Sequence, residues 1–280
     1  MRKATWAKKT VLITGAGQGL GRSLSIKSAE LGAKVVVTDR NLSAARETCE
    51  LITQSGGTAV PFEMDITDYE SIVRVREQAL ESFGPISVLI NNAGVVVGGA
   101  FEEISLESHL RTIEINLKGL IQVTHIFLPD LLKNLEASLV NISSASAFLA
   151  LPFASTYAAS KWGVLGFSDS LREELRLKKQ TQLKILAVCP SYISTGMFEG
   201  VRLPWLMNWL TPEILAQRIL GAVVRKKEIV LTPWNVLPVP LAKGVLPRSW
   251  FLAFCRWLGV SRSMISWRGH SSKSEGFFST

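Results

Sequence analysis

Cysteine and histidine are scarce in this 280-residue chain, with three of each. Cys49, Cys189 and Cys255 are odd in number and widely scattered, which supports neither a disulfide framework nor a thiolate zinc site. His109, His125 and His270 stand singly, so metal chemistry is not expected. Long hydrophobic runs are missing too. The longest uncharged apolar candidate, residues 229–242, is interrupted by Pro233, Pro238 and Pro240, well short of the about 18 residues a spanning helix needs. The N-terminus reaches a strand-like run by Thr10 without the apolar core of a signal peptide, which sets an expectation of cytoplasmic placement. No internal repeat or low-complexity linker is present. With 47% hydrophobic and 19% charged residues, wholesale disorder is excluded and a packed core is expected.

Acid is what the C-terminal end lacks. Residues 1–200 hold 20 Lys/Arg and 20 Asp/Glu, whereas residues 201–280 hold 11 against 3 and carry the whole net charge of +8. Six of the eight tryptophans fall in that same stretch. The chain therefore reads as a neutral body with a basic, aromatic-rich end.

Short β-branched runs alternate with longer amphipathic stretches along the body. Strands are expected over residues 10–14, 34–39, 58–62, 86–91, 138–143, 183–189 and 228–232. Helices are expected over residues 20–31, 42–54, 69–83, 106–134, 155–178 and 212–226. Such alternation means βαβ units and a parallel sheet, and the near-continuous Val/Ile/Leu strands imply helices on both faces. The expectation is an α/β chain with a single doubly wound domain over residues 1–232 and a C-terminal extension over residues 233–280.

The first strand runs through Gly15-Ala16-Gly17-Gln18-Gly19-Leu20-Gly21 straight into a helix. Glycines let the backbone turn tightly against a ligand, while the helix N-terminus offers free N–H groups and a positive dipole to a pyrophosphate. Tyr157 and Lys161 stand at i and i+4, on one helix face. A tyrosine near pKa 10 exchanges protons poorly at neutral pH, and a neighbouring ammonium is expected to lower that pKa. Ser144, at the carboxyl end of the fifth strand, is placed to hydrogen-bond a substrate oxygen. Asp39 closes the second strand, where an acid accepts from ribose hydroxyls and repels a 2′-phosphate; this favours NAD, although Arg40 beside it keeps NADP open.

The spacing TGxxxGxG, followed by Asn91-Asn92-Ala93-Gly94, Asn116, Ser144 and Tyr157-Ala158-Ala159-Ser160-Lys161, resembles the short-chain dehydrogenase/reductase family over roughly residues 8–232. The resemblance implies a Rossmann-type, seven-stranded parallel sheet in the order 3-2-1-4-5-6-7. It implies Tyr157 as acid/base and Ser144 as holder of the substrate oxygen. Lys161 would tune Tyr157 and hold the nicotinamide ribose, with Asn116 supporting a proton relay. A dinucleotide would be bound by Gly15, Gln18, Gly19, Leu20, Gly21, Asp39, Arg40, Asp65, Ile66, Asn92, Ala93, Gly94, Tyr157, Lys161, Pro190 and Thr195. The family's Pro-Gly pair is here Pro190-Ser191, a departure that leaves Thr195 in place.

The segments expected to line the substrate pocket, residues 95–97, 147–153 and 191–209, are almost without charge. An apolar pocket does not repay the desolvation of a charged substrate, so a lipophilic alcohol or carbonyl is expected, with Ser144, Phe148, Phe153 and Met197 touching it and Leu206 among the pocket residues. A narrower resemblance, through residues 194–200 and Leu231-Thr232-Pro233-Trp234, points to the branch of retinol and 17β-hydroxysteroid dehydrogenases. In residues 241–268, aromatics interleave with Lys243, Arg248, Arg256, Arg262 and Arg268. Two readings of that stretch stay open: peripheral contact with a membrane interface, or packing on the domain or a subunit. Nucleic acid is not an expected partner. A homodimer or homotetramer through helices 106–134 and 155–178 is implied by the resemblance. The competing readings are an NADPH-dependent reductase of ketones or 3-oxoacyl thioesters, and a non-catalytic dinucleotide sensor on the same fold.

Overall fold

A computed structural model describes residues 6–205 and 207–269. Leu206 of the expected pocket wall, His270, and residues 270–280 of the C-terminal extension lie outside them. Seven strands, β1 (Thr10–Thr14), β2 (Lys34–Asp39), β3 (Thr58–Glu63), β4 (Val88–Asn91), β5 (Ala137–Ile142), β6 (Leu183–Pro190) and β7 (Ile229–Thr232), form one parallel sheet. Their spatial order is β3-β2-β1-β4-β5-β6-β7, as the resemblance implied.

Alternate residues of each strand feed two apolar layers. Val11 and Ile13 of β1 and Val35 and Val37 of β2 point to one layer, shared with Leu24, Cys49, Leu215 and Ile219. Leu12, Val36 and Leu89 point to the other, shared with Ile72, Val75, Val123 and Phe127. The helices that supply these partners are α1 (Gly19–Glu30), α2 (Leu42–Gln54) and α7 (Pro212–Val224) on the first face. On the second lie α3 (Tyr69–Phe83), α5 (Leu120–Lys133) and α6 (Ser155–Leu177). Burial on both faces is why the strands read as unbroken Val/Ile/Leu runs. Asn41, Asp68 and Thr211 start α2, α3 and α7 by accepting a hydrogen bond from the first turn.

Strand and helix bounds differ from expectation by a residue or two at most ends, with one informative exception. The helix expected across residues 106–134 is divided. An α-helix, α4 (Leu106–Ile113), leads into a π-helical turn (Glu114–Gly119) before α5 begins. The widened turn carries Asn116, whose side-chain oxygen accepts from Val95 N at 2.8 Å and whose Nδ2 donates to Val95 O at 2.9 Å. The widened turn thus presents a side-chain amide that clamps the backbone of a neighbouring loop.

A third apolar cluster sits beyond the carboxyl ends of the strands. It joins Val96, Leu149, Leu151, Tyr157, Tyr192 and Phe198 to Val236, Phe251, Cys255, Val260 and Met264. The last five come from the segment after β7, which forms helices α8 (Val239–Val245) and α9 (Arg248–Trp257). That segment is therefore packed over the end of the sheet where ligands bind in this architecture.

Candidate active site

The β1–α1 turn is built for close approach. Gly19 has φ +54, and a Cβ there would lie 3.2 Å from Thr195 on the far side of the cleft. Gly21 meets no ligand space: a Cβ on it would stand 2.1 Å from Gly15 O, so it allows the helix to pack against the turn and lies off the cleft wall. Asn92 Nδ2 donates to Thr14 O and Gly15 O at 2.9 and 3.0 Å, joining the ends of β1 and β4 at the topological switch. Asp39 Oδ2 accepts from Gly17 N at 2.9 Å and Oδ1 from Asn41 N at 3.0 Å. Its carboxylate thereby holds the glycine turn against the tip of β2. Each oxygen keeps a second lone-pair direction for a hydroxyl donor.

A cleft that opens to solvent runs along this turn. Gly15, Gln18, Gly19, Leu20, Asp39, Arg40, Asp65, Ile66, Asn92, Ala93, Gly94, Pro190 and Thr195 lie on its wall, together with Ser144, Tyr157, Lys161 and Met197. The glycine cradle, the acid at the tip of β2 and the run of the cleft from Asp39 to Tyr157 fit a dinucleotide. Arg111 of α4 is a wall residue that the sequence reading missed. It donates to Thr67 at 3.3 Å, pairs with Glu114 at 2.9 Å and lies 3.9 Å from Asp65. Nothing in its local sequence signals this, because the 46-residue separation from Asp65 is closed only by the fold.

Three contacts lock the carboxyl end of β5 to α6. Ser143 Oγ donates to Lys161 O at 2.8 Å, Lys161 Nζ donates to Ile142 O at 3.0 Å, and Trp162 Nε1 donates to Ser146 O. Ser144 caps the short turn between them, accepting from Ser146 N at 3.1 Å, and lines the same cavity walls as Tyr157. The Lys161 ammonium lies 5.8 Å from the centre of the Tyr157 ring. Asn116 lies behind Gly94 rather than on the cleft wall. A Cβ on Gly94 would touch both Asn116 Oδ1 (3.1 Å) and Lys161 Nζ (3.4 Å), and Asn116 Nδ2 also donates to Ser160 Oγ at 3.0 Å.

Burial governs the titration of the pair. It pushes the Tyr157 phenol up to about 12, with Ser144 pulling the other way, and pulls the Lys161 ammonium down to about 8. The net shift of the phenol is upward, opposite to the lowering expected from a neighbouring ammonium, because burial dominates it. Cys189, in the adjoining strand, is pushed up to about 12 by the same burial and is an inert thiol.

Beside Tyr157 opens a smaller, apolar chamber. Leu149, Leu151, Tyr192, Phe198, Pro204, Met207 and Val260 line it, with Ser144, Ser146 and Ser191. Phe148 and Phe153 were expected to touch substrate and line neither cavity. Phe148 ends the turn after Ser144, and Phe153 takes φ 63 and is exposed, its carbonyl engaged by Gly99 N. Val260 was missed because the sequence leaves the C-terminal stretch open between packing on the domain and membrane contact, and nothing local ties it to the pocket.

Comparison with known proteins gives the same picture. The model of the short chain dehydrogenase family matches residues 9–204. The chain is 34% identical to epidermal retinol dehydrogenase 2 of Mus musculus over 96% of its own length and 88% of that protein. It is 33% identical to the ketoacyl reductase HetN of a Nostoc species, with 91% of each chain covered. Among solved structures, a short chain dehydrogenase/reductase from Burkholderia phymatum in complex with NAD superposes with a TM-score of 0.75 at 26% identity, over 84% of this chain and 90% of that one. The chain belongs to the short-chain dehydrogenase family and is an oxidoreductase that acts on CH–OH groups with a nicotinamide dinucleotide.

Proposed function

We propose that this enzyme interconverts a lipophilic alcohol and its carbonyl, with NAD as the preferred dinucleotide. The observation that carries the reading is the convergence of Tyr157, Ser144 and Lys161 where the dinucleotide cleft meets an apolar chamber. The retinol dehydrogenase relative acts on a substrate of that class by its name. When bound, the nicotinamide takes up or gives the hydride. The chain's part is to bind, orient and move a proton. Ser144 Oγ holds the substrate oxygen against the Tyr157 hydroxyl. With its pKa raised, Tyr157 carries its proton at neutral pH and can donate it to a carbonyl oxygen. Drawing a proton from an alcohol requires a cation to hold the phenolate, and Lys161 occupies that place. Asn116 and Ser160 keep the backbone around Gly94 and Lys161 in position. The apolar chamber excludes water from the reacting atoms.

Asp39 supports NAD over NADP, since its carboxylate would face the 2′-phosphate. The Burkholderia relative holds NAD. A second reading, reduction of a 3-oxoacyl thioester, is favoured by the ketoacyl reductase relative and by Arg40 and Arg111 on the cleft wall. A homodimer through α4, α5 and α6 is supported by Leu106 and Leu110, which stand exposed at i and i+4 on α4.

Four measurements test these points. Tyr157→Phe should lower kcat by about a thousandfold on any confirmed alcohol while leaving dinucleotide affinity little changed; turnover near wild type removes the acid/base assignment. Fluorescence titration should show tighter binding of NADH than NADPH, and Asp39→Ala should narrow the gap; a preference for NADPH would mean that Arg40 prevails and that thioester ketones deserve the first assay. Lys161→Met tests the buried ammonium. Below pH 8 the folded wild type bears its whole desolvation cost. Between about 8 and the ordinary lysine value of 10.5, the folded chain has lost the proton that the unfolded chain keeps. Wild-type stability should therefore rise relative to the variant across that window, by up to about 3 kcal/mol. A flat difference would place the Lys161 pKa near its ordinary value. Light scattering should give twice the 30.7 kDa chain mass, and a monomer at micromolar concentration removes the dimer.

A further inference from the structure

Helices α8 and α9 invert the usual pattern of a surface helix. Leu237 and, on α8, Leu241 and Val245 repeat every four residues on the side that faces solvent, and Leu241 and Val245 are 71% and 72% exposed. On α9, Phe251 and Cys255 turn inward to the cluster around Tyr157, while Trp250, Phe254 and Trp257 form a second exposed stripe at i, i+4 and i+7. Trp250 and Trp257 are 69% and 68% exposed, and Trp234, just before α8, is 74% exposed. Trp257 stacks on Phe254 at 6.0 Å and meets Trp205 edge-on at 5.5 Å, so the aromatics form a surface rather than scattered side chains. A monomer rarely leaves so much contiguous apolar area in water.

Charge identifies what covers it. From residue 233 to 269 there are five basic residues and not one Asp or Glu; Arg248, Arg256, Arg262 and Arg268 are exposed, while Lys243 lies over the Trp162 ring. A second copy of the same face would bring like charges together, which weighs against self-association. An anionic lipid surface matches both features, with rings at headgroup depth and cations on the phosphates. Among the described residues no helix is long and apolar enough to cross a membrane, so the contact is with the surface of the bilayer. We propose that the face formed by α8, α9 and Trp205 docks the enzyme on an anionic lipid bilayer.

The same face forms the outer wall of the apolar chamber. Pro204 and Val260 line the chamber from inside, and Trp205, next in sequence to Pro204, bonds through its backbone N–H to Leu258 O at 3.0 Å and presents its ring outward. Docking sets the wall of the chamber against the bilayer, which brings a substrate dissolved in lipid close to Tyr157. This last step rests on the lipophilic-substrate reading; the docking itself does not.

Flotation of the full-length protein with phosphatidylcholine vesicles, with and without phosphatidylserine, tests both parts. Wild type should float with the phosphatidylserine vesicles and far less with phosphatidylcholine alone. Trp250→Ser/Trp257→Ser and Arg248→Glu/Arg256→Glu should each lower the bound fraction roughly tenfold, with unchanged thermal melting by circular dichroism. Wild type that stays unbound, or variants that float as well as wild type, overturns the proposal. So does a wild-type oligomer that Trp250→Ser/Trp257→Ser reduces to a smaller species in light scattering, because a second copy then covers the face. Turnover of long-chain alcohols is scored separately in detergent. Flotation without such turnover leaves docking standing and removes the lipophilic substrate, and turnover without flotation does the reverse.

Discussion

The active centre depends on the burial of one ammonium group. Lys161 lies 6% exposed between α6 and the end of β5, and its Nζ gives a hydrogen bond to the Ile142 carbonyl. Burial disfavours its charge, and the shift to about 8 is the record of that cost. What the cost secures is position. The Ser143 hydroxyl grips the Lys161 carbonyl, the Trp162 indole grips the Ser146 carbonyl, and the β5 end that carries Ser144 is thereby fixed to the helix that carries Tyr157. Loosening any of these contacts would shift Ser144 relative to Tyr157, the two residues assigned to the substrate oxygen in the proposed reaction.

Around that junction the chain uses polar side chains as cross-braces between elements that are far apart in sequence. Asn91 donates to Thr124 and to Asn141, and Asn141 donates to Ser168, each at 2.9 Å, so β4, α5, β5 and α6 share one buried network. Arg22 bonds Gly17 O and pairs with Glu47, holding the glycine turn from behind while Asp39 holds it from the front. Exposed pairs such as Arg22–Glu47 add little stability by themselves. Their value lies in fixing the backbone that approaches a dinucleotide. His109 plays a comparable part for the loop over the site. Its ring stacks on Phe101 at 4.4 Å and shares a hydrogen bond of 2.7 Å with Thr156, the neighbour of Tyr157.

The substrate side follows different physics. Its walls are apolar, drawn from the segment after β6 and from the C-terminal helices, and they carry few of the hydrogen bonds that fix the dinucleotide side. Two hydroxyls there, on Ser146 and Ser191, are buried without a hydrogen-bond partner among the chain's own groups. The design separates a rigid, polar half that positions the proton donor from an apolar half whose outer surface is itself unusually apolar.

The sequence alone determined the sheet, the glycine turn and the pairing of Tyr157 with Lys161 on one helix face, because each leaves a local mark. Strands buried on both faces become continuous Val/Ile/Leu, a tight turn against a ligand demands glycine, and an i, i+4 pair lies on one helix face whatever surrounds it. Tertiary structure decided what depends on partners distant in the chain. It placed Arg111 on the cleft wall beside Asp65, and set Asn116 in a π turn with its side-chain amide on the Val95 backbone. It moved Phe148 and Phe153 off the pocket, and reversed the expected shift of Tyr157 by burying it with its lysine. It also divided the C-terminal aromatics, which composition could only group together, into Phe251 facing the chamber and Trp250, Phe254 and Trp257 facing out. Which side of a helix finds a core is settled by what packs against it, and no local pattern contains that information.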